Sequence, residues 1–336
     1  MWFRLVFIGV LSIFIVSCSS KNDLQADIIT DSDWIVDELD VTGEFFLYPL
    51  ALNPNFDSVQ SINLANGELV GIVNFGNQVI VYPYVYTFEN EVINSEFQGR
   101  KYAFTYCPIT KSAIAFNRTG IFRASGYLYK NNLTPWDAET ESIWSQMLIK
   151  GIQGDRKNNR FNTIPVLETT WGVVKSFFPN AKVLAGPPSL NNKSSLKYNS
   201  KPPDDTGNTD DDSGGNIPNN DDFVYGIIDD FDNVHIFKYS DFSNQMIVKI
   251  IRNQEYIIVG NQSKRFINAF KVSNANDFEE LENQLPYVIK NKNGVKYNIL
   301  GVGSNGSTLE KPKYAYVAIW RAWEDFYSSF NFIDKE

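Results

Sequence analysis

Short runs of alternating apolar and polar residues recur along most of the chain, separated by Asn, Asp and Gly. Such alternation, and short apolar runs such as residues 79–82, are typical of strands with at least one well-buried face. Two longer segments, Gly71–Tyr84 and Gly226–Tyr239, each have the pattern of a strand, a tight turn and a second strand. Helical periodicity is short, and it is clearest after Trp171 and Trp320. The pattern predicts an α+β protein that is mainly antiparallel β.

The two hairpin segments align with each other without a gap, and further matches follow in the same order at offsets of 149 to 155 residues. These matches are Tyr102–Cys107 with Tyr256–Asn261, Ser112–Phe116 with Phe266–Phe270, and the helix at Trp171 with that at Trp320. Ordered self-similarity of this kind indicates duplication. We therefore predict two pseudo-symmetric β-rich repeats, each closing with a short helix. The first spans residues 41–185, and the second, degenerate repeat spans 223–332.

The amino terminus has the pattern of a lipoprotein signal peptide. Arg4 precedes an apolar run at residues 5–16, which is shorter than the roughly 20 residues that a spanning helix needs. Ile15-Val16-Ser17-Cys18 then resembles a bacterial lipobox, which implies cleavage before Cys18 and lipid on its sulfur. We predict a signal peptide at 1–17, a tether at 18–40 and a chain held outside the cytoplasm on a bacterial membrane, with the outer membrane favoured over the inner. The alternative is an ordinary secretory signal that ends in a chance cysteine.

Composition narrows the class of protein. The chain has 336 residues and is 43% hydrophobic and 15% aromatic, enough for a large core. One His and two Cys exclude structural zinc sites, paired-histidine haem and disulfide frameworks, so no metal or cofactor is expected. A net charge of −9 argues against nucleic acid as a partner. Residues 186–222 are rich in Asp, Asn, Pro and Gly, and we predict a disordered acidic insertion there.

Cys107 is a lone thiol, because lipid on Cys18 leaves it without a partner for a disulfide. It ends a predicted strand, and Pro108 forces the chain to turn directly after it. Reactivity would need a lowered thiol pKa, for which Lys111 and Arg118 are nearby in sequence, whereas the only histidine, His235, is in the other repeat. Two interpretations stay open. Cys107 is a small buried apolar residue, or it is a reactive or ligand-contacting thiol.

A second group of polar residues follows Trp136. Asp137 begins a turn, and Ser142, Trp144 and Gln146 recur at the two-residue period of one strand face. One interpretation is a capped turn whose strand places Trp144 in the core. The other places Asp137, Ser142 and Gln146 beside Cys107 as polar groups of one pocket.

These residues belong to an ordered motif set: Thr105-Tyr-Cys-Pro-Ile-Thr110, Ala115-Phe116, Ser125-Gly126, Asp137-x-x-Thr140-x-Ser142-x-Trp144-x-Gln146, Gly151-x-x-Gly154, Thr170-Trp171 and Phe178-Pro179. The set resembles the bacterial domain-of-unknown-function family 3179, strongly over residues 60–185 and weakly to residue 330. The resemblance implies no activity, since the family's is unassigned. Some members carry a second cysteine where this chain has Thr110, so a Cys-x-x-Cys redox or metal pair is not available here.

Three hypotheses about function follow. The favoured one is a non-catalytic envelope lipoprotein whose first repeat binds a small molecule, a glycan or an envelope protein through exposed Tyr106 and Trp144, with Ser125 as a polar contact. The alternative is a thiol-dependent enzyme or redox protein, with Cys107 as nucleophile and Asp137, Ser142 and Gln146 in support. The third is a purely structural component, which would have no cavity near Cys107. The sequence leaves open whether the protein is an enzyme.

Overall fold

The computed structural model describes residues 33–76, 78–186, 217–243 and 245–332. The predicted signal peptide, Cys18, most of the tether and nearly all of the acidic insertion lie outside these residues. From Trp34 onward the chain groups into one compact unit. Within the described ranges, no helix has the length and apolar character needed to cross a membrane.

The first half of the chain is built almost entirely from short strands. In chain order its elements are β1 Val41–Thr42, β2 Ala51–Leu52, β3 Phe56–Ser58, β4 Leu69–Phe75, β5 Gln78–Pro83, α1 Tyr84–Thr87, β6 Val92–Phe97, β7 Arg100–Cys107, β8 Ser112–Asn117, β9 Phe122–Tyr129, β10 Asn132–Asp137, β11 Ser142–Ser145, β12 Lys150–Gln153, β13 Thr163–Ile164, β14 Val166–Thr170, α2 Trp171–Phe177 and β15 Lys182–Leu184. Single 3-10 turns occupy Glu38–Asp40 and Val59–Ser61.

The second half is also built mainly from short strands, but it has fewer of them. Its elements are β16 Phe223–Ile228, β17 Val234–Lys238, β18 Gln245–Ile251, β19 Gln254–Asn261, β20 Phe266–Val272, β21 Phe278–Glu280, β22 Tyr287–Asn291, β23 Lys296–Asn298, β24 Ala315–Ile319, α3 Trp320–Phe326 and β25 Phe330–Asn331. Single 3-10 turns occupy Tyr239–Asp241 and Ala275–Asp277. The predicted fold class, α+β and mainly antiparallel β, is confirmed.

The sheets of the two halves have matching strand orders. In the first half, one sheet runs β14-β4-β5-β15-β3, and in the second half one runs β24-β16-β17-β25. In both, the first three strands are antiparallel and the fourth pairs in parallel with the third. The meander β6-β7-β8 likewise corresponds to β18-β19-β20. This correspondence has the form that the predicted repeat requires, while a common origin of the two halves stays a prediction.

The two halves also exchange contacts. Strand β14 of the first half packs against β20, and β24 of the second half packs against β8. Each of the two hydrophobic clusters draws residues from both halves, as Trp171 and Ile257 in one of them illustrate. The core is therefore shared, and neither half buries its apolar strands alone.

Candidate functional site

Cys107 ends β7 and lies at the base of the turn that leads to β8. It pairs in register with Ser112, the first residue of β8. The turn begins with Pro108 and ends at Lys111, whose φ of 54° is left-handed. The side chain of Cys107 is 1% exposed, and its Sγ donates to the main-chain oxygen of Asn131 at 3.9 Å. The thiol therefore faces the protein interior.

The surroundings of Cys107 favour the protonated thiol. Burial raises the pKa of Cys107, hydrogen bonds from Thr110 act in the opposite direction, and the Glu91 carboxylate adds to the rise. Burial also raises the pKa of Glu91 to about 7. Burial lowers the pKa of Lys111, and the charge of Cys107 acts in the opposite direction. Burial and the Glu91 carboxylate therefore disfavour a thiolate at Cys107.

The other cation and the histidine considered as activators lie elsewhere. Arg118 is at the far end of the β7–β8 hairpin, where its guanidinium donates to the main-chain oxygens of Tyr102 and Gly120. His235 belongs to β17, and its Nε2 lies 3.8 Å from Oδ2 of Asp229. Burial lowers the pKa of His235. The structure thus gives Arg118 and His235 contacts of their own, away from the thiol.

A buried hydrogen-bond network lies next to Cys107 and centres on the side-chain amide of Gln146. Its Oε1 accepts from Oγ of Ser112 at 2.7 Å and from Nδ2 of Asn132 at 2.9 Å. Its Nε2 donates to Oγ1 of Thr105 at 2.9 Å. Because Ser112 is the ladder partner of Cys107, the network brings Gln146 beside the thiol. Asn132, which the sequence analysis did not select, completes it.

Asp137 and Ser142 lie at the opposite end of the β10–β11 hairpin from Gln146. Oδ1 of Asp137 accepts from the backbone nitrogen of Glu139 at 3.0 Å, and Oδ2 accepts from Oγ1 of Thr140 at 2.8 Å. The two ends of β10 are five residues apart, which is roughly 16 Å. Asp137 and Ser142 therefore cap a turn, and the structure does not bring them together with Cys107.

The three residues expected to contact a ligand are all buried. Tyr106 is 1% exposed and stacks on Tyr84 with ring centroids 4.0 Å apart. Trp144 is 6% exposed and stacks on Phe161 at 4.2 Å. Ser125 is buried in β9 and hydrogen-bonded across to β10. The expectation of exposed aromatic contacts is not met, because these rings are part of the core.

A cleft of about 220 Å³ opens beside the Cys107 turn, on the side away from the thiol. Its walls come from both halves: Ile109, Thr110, Lys130, Asn131, Ile319, Arg321, Ala322 and Asp325. The backbone nitrogen of Ile319 donates to the oxygen of Thr110 at 3.1 Å, and Nζ of Lys130 donates to the oxygen of Asp325 at 2.6 Å. Thr110 and Asn131 both contact Cys107 and also line the cleft, so the thiol lies directly under its floor.

A buried carboxylate joins the two halves close to this turn, and sequence reasoning missed it. Glu168 of β14 is 3% exposed, and it accepts from the hydroxyl groups of Tyr84 at 3.2 Å and Tyr239 at 3.5 Å. Nη2 of Arg265 lies 3.8 Å from its Oε1. Burial raises the pKa of Glu168 to about 7, against the opposing effects of Arg265 and the two tyrosines. The available signal was a single charged residue within the strand segment Val166–Thr170.

In the described ranges, no group of three or more His, Cys, Asp or Glu side chains is placed to hold an ion. Thr110 occupies the position that a Cys-x-x-Cys pair would need, and its Oγ1 accepts from Nδ2 of Asn132 at 2.9 Å.

The structure therefore defines a mainly β protein in which two sheets of each half share a strand order, with a buried thiol and a small cleft where the halves meet. A family model described as "Protein of unknown function (DUF3179)" matches residues 48–330. The chain belongs to this family, as its ordered motifs indicated. No curated protein and no solved structure matches the chain.

Proposed function

We propose that this chain is a cell-envelope lipoprotein that binds a small polar ligand in the cleft beside the Cys107 turn. The observation that carries the proposal is the cleft itself, which combines an apolar wall at Ile109 with polar groups at Asn131, Arg321 and Asp325. Small-molecule sites join apolar lining to a few polar groups that fix orientation. A volume of about 220 Å³ is below the roughly 300–1,000 Å³ typical of small-molecule sites and limits the ligand to about one sugar ring, which offers an apolar face and several hydroxyl groups.

The floor of the cleft is held rigidly, which supports a binding role. Thr110 accepts from Asn132 at 2.9 Å, and Asn132 belongs to the buried network of Gln146. Asn131 is tied to Cys107 through its main-chain oxygen. A site whose supporting groups are already fixed loses little conformational entropy when it binds a ligand.

The alternative, a thiol-dependent enzyme or redox protein, needs a thiolate that can reach a substrate. Cys107 is 1% exposed, burial raises its pKa, and Asp137 and Ser142 lie at the far end of a hairpin. These observations favour binding over thiol chemistry.

The proposed cellular location depends on the residues before Trp34. The apolar run at 5–16 followed by Ile15-Val16-Ser17-Cys18 supports lipid attachment at Cys18 and export from the cytoplasm. Metabolic labelling with an alkyne-bearing fatty acid, followed by membrane fractionation, tests this. We expect wild type to be labelled and membrane-bound, and Cys18→Ala to be unlabelled and either soluble or unprocessed. An unlabelled wild type, or membrane retention of Cys18→Ala at the mature size, would contradict the proposal.

The binding role is tested by saturation-transfer NMR with N-acetylglucosamine, glucose and galactose as probes. We expect at least one sugar to show transfer with wild type and to lose it with Arg321→Gln and Asp325→Asn. Arg156→Gln is the matched control, because Arg156 is exposed and lies outside the cleft. Absence of transfer from all three sugars, or equal transfer with the cleft variants, would overturn the assignment of this cleft as a sugar site.

A further inference from the structure

A second cavity, of about 550 Å³, lies between the β4–β5 hairpin of the first half and the loop that precedes β24. Its volume falls within the roughly 300–1,000 Å³ typical of small-molecule sites. Asn74 and Thr163 line it from the first half, and Leu300, Leu309 and Lys311 line it from the second. The cavity therefore offers apolar walls together with a few polar groups, and it shares no lining residue with the cleft at Cys107.

Lys311 is the unusual member of this lining. Among the described residues, no carboxylate lies within 4.0 Å of its Nζ. The lining also contains Lys313 and Glu310, and Glu310 pairs with Lys271 at 3.2 Å. Burial lowers the pKa of Lys311 to about 8. A lysine that is desolvated and has no charge partner is stabilised by an anion that enters the cavity, because the anion supplies that partner.

Asn74 provides an independent observation on the opposite wall. Its Oδ1 is buried and has no hydrogen-bond partner in the described part of the chain. An unpaired buried acceptor is costly, and a ligand hydroxyl placed there would satisfy it. Leu300 and Leu309 contribute apolar surface to the same lining.

We propose that this cavity binds a small organic anion, with its carboxylate paired to Lys311, its apolar body against Leu300 and Leu309, and a hydroxyl group donated to Asn74. Nothing in this site depends on the cleft at Cys107, so it would be a second ligand site. An inorganic anion would contact only the lysines of the lining, Lys311 and Lys313, and leave the apolar walls and Asn74 without a role.

Binding by this mode is coupled to protonation. The bound carboxylate stabilises the ammonium form and so raises the pKa of Lys311 above its value of about 8 in the free protein. At pH 8 about half a proton is therefore taken up on binding. Above that pH the affinity falls by up to about tenfold per unit, and well below it the affinity is constant, because Lys311 is already charged.

The test is calorimetric titration of the full chain with 4-hydroxybenzoate, with 4-hydroxybenzyl alcohol as the uncharged probe, benzoate as the probe without a hydroxyl, and inorganic phosphate as the anion without an apolar body. We expect 4-hydroxybenzoate to bind most tightly, and its affinity to fall at least about tenfold with Lys311→Met. Titration in two buffers of different ionisation enthalpy at pH 8 should show the proton uptake. Asn74→Leu should remove the advantage of 4-hydroxybenzoate over benzoate.

The matched control is Lys175→Met, because Lys175 is an exposed lysine on α2 and does not line the cavity. Thermal unfolding of each variant establishes that it is folded at the temperature of the titration. Equal affinity for the charged and uncharged probes, no loss with Lys311→Met, or phosphate binding as tightly as 4-hydroxybenzoate would each overturn the proposal. Absence of binding by any probe to wild type would overturn it as well.

Discussion

Tyr84 and Tyr239 direct their hydroxyl groups at the two oxygens of one buried carboxylate, that of Glu168. Each tyrosine directly follows the second strand of a hairpin, β5 in the first half and β17 in the second. The turns after β7 and β19 match in the same way, since Lys111 and Arg265 occupy equivalent positions with φ of 54° and 50°. The cluster around Glu168 is thus built from corresponding parts of both halves, and it lies where they meet.

The first prediction concerns pH and stability. A glutamate in the unfolded chain titrates near its ordinary value of 4.5, whereas burial raises the pKa of Glu168 to about 7 in the folded protein. The folded state therefore binds more protons in this window, so stability falls as pH rises from about 4.5 to about 7. Titration of Glu168 should lower the unfolding free energy of wild type by on the order of 2–3 kcal/mol across this window. Glu168→Gln should not show this fall, and the variant should therefore be more stable than wild type at pH 8.

Urea unfolding at several pH values measures this difference. Glu91, whose pKa burial also raises to about 7, contributes to the slope in both proteins, so the difference between them isolates Glu168. Glu324→Gln, at an exposed position of α3, is the control and should keep the wild-type slope. If Glu168→Gln keeps that slope too, the carboxylate is not buried as described.

The second prediction separates two buried glutamines. Gln146 uses both ends of its amide in the network beside Cys107, whereas neither amide atom of Gln153 has a hydrogen-bond partner in the described residues. Gln146→Leu removes the acceptor of Ser112 and of one Asn132 hydrogen bond, together with the donor to Thr105, and we expect it to cost roughly 2–4 kcal/mol of unfolding free energy. Gln153→Leu should be neutral or stabilising, because it removes an unsatisfied amide. Chemical denaturation of both variants checks this, and equal losses would argue against the network.

The third prediction concerns two buried glycines, Gly71 in β4 and Gly226 in β16. An added Cβ at Gly71 would lie 2.7 Å from the ring of Phe104, and one at Gly226 would lie 2.6 Å from the ring of Trp323. Both rings are fully buried and have no space into which to move. Gly71→Ala and Gly226→Ala should each cost roughly 1–3 kcal/mol. Gly67→Ala is the control, since no atom lies within 4 Å of its added Cβ. If thermal unfolding shows the same stability for all three variants, the glycines are not packed against these rings as described.

Much of the fold could be predicted because local patterns specify it. The hairpins at 71–84 and 226–239 appear as β4–β5 and β16–β17, and the helices after Trp171 and Trp320 appear as α2 and α3. Alternating apolar residues and turn-forming Asn and Asp determine such elements locally. Which strands of the two halves pack against each other depends on long-range contacts, and a single sequence does not show these contacts.

The candidate site was harder to predict for the same reason. The two-residue period placed Ser142, Trp144 and Gln146 on one strand face, but the register of β11 shifts between Ile143 and Trp144. Because β11 also ends at Ser145, Gln146 lies beyond the strand and turns toward Cys107. Glu168 was missed because its partners, Tyr84, Tyr239 and Arg265, are distant in sequence.

The protonation state of Cys107 most directly separates a binding protein from a thiol enzyme. In the Cys18→Ala background it is the only cysteine, so carbon-13 labelling of cysteine gives a single Cβ resonance whose shift reports the thiolate. We predict that this resonance titrates above the ordinary thiol value of 9.0 and that the native thiol resists alkylation at neutral pH. A titration midpoint of the Cys107 thiol near neutral pH, together with rapid alkylation, would contradict the binding function and favour thiol chemistry at Cys107.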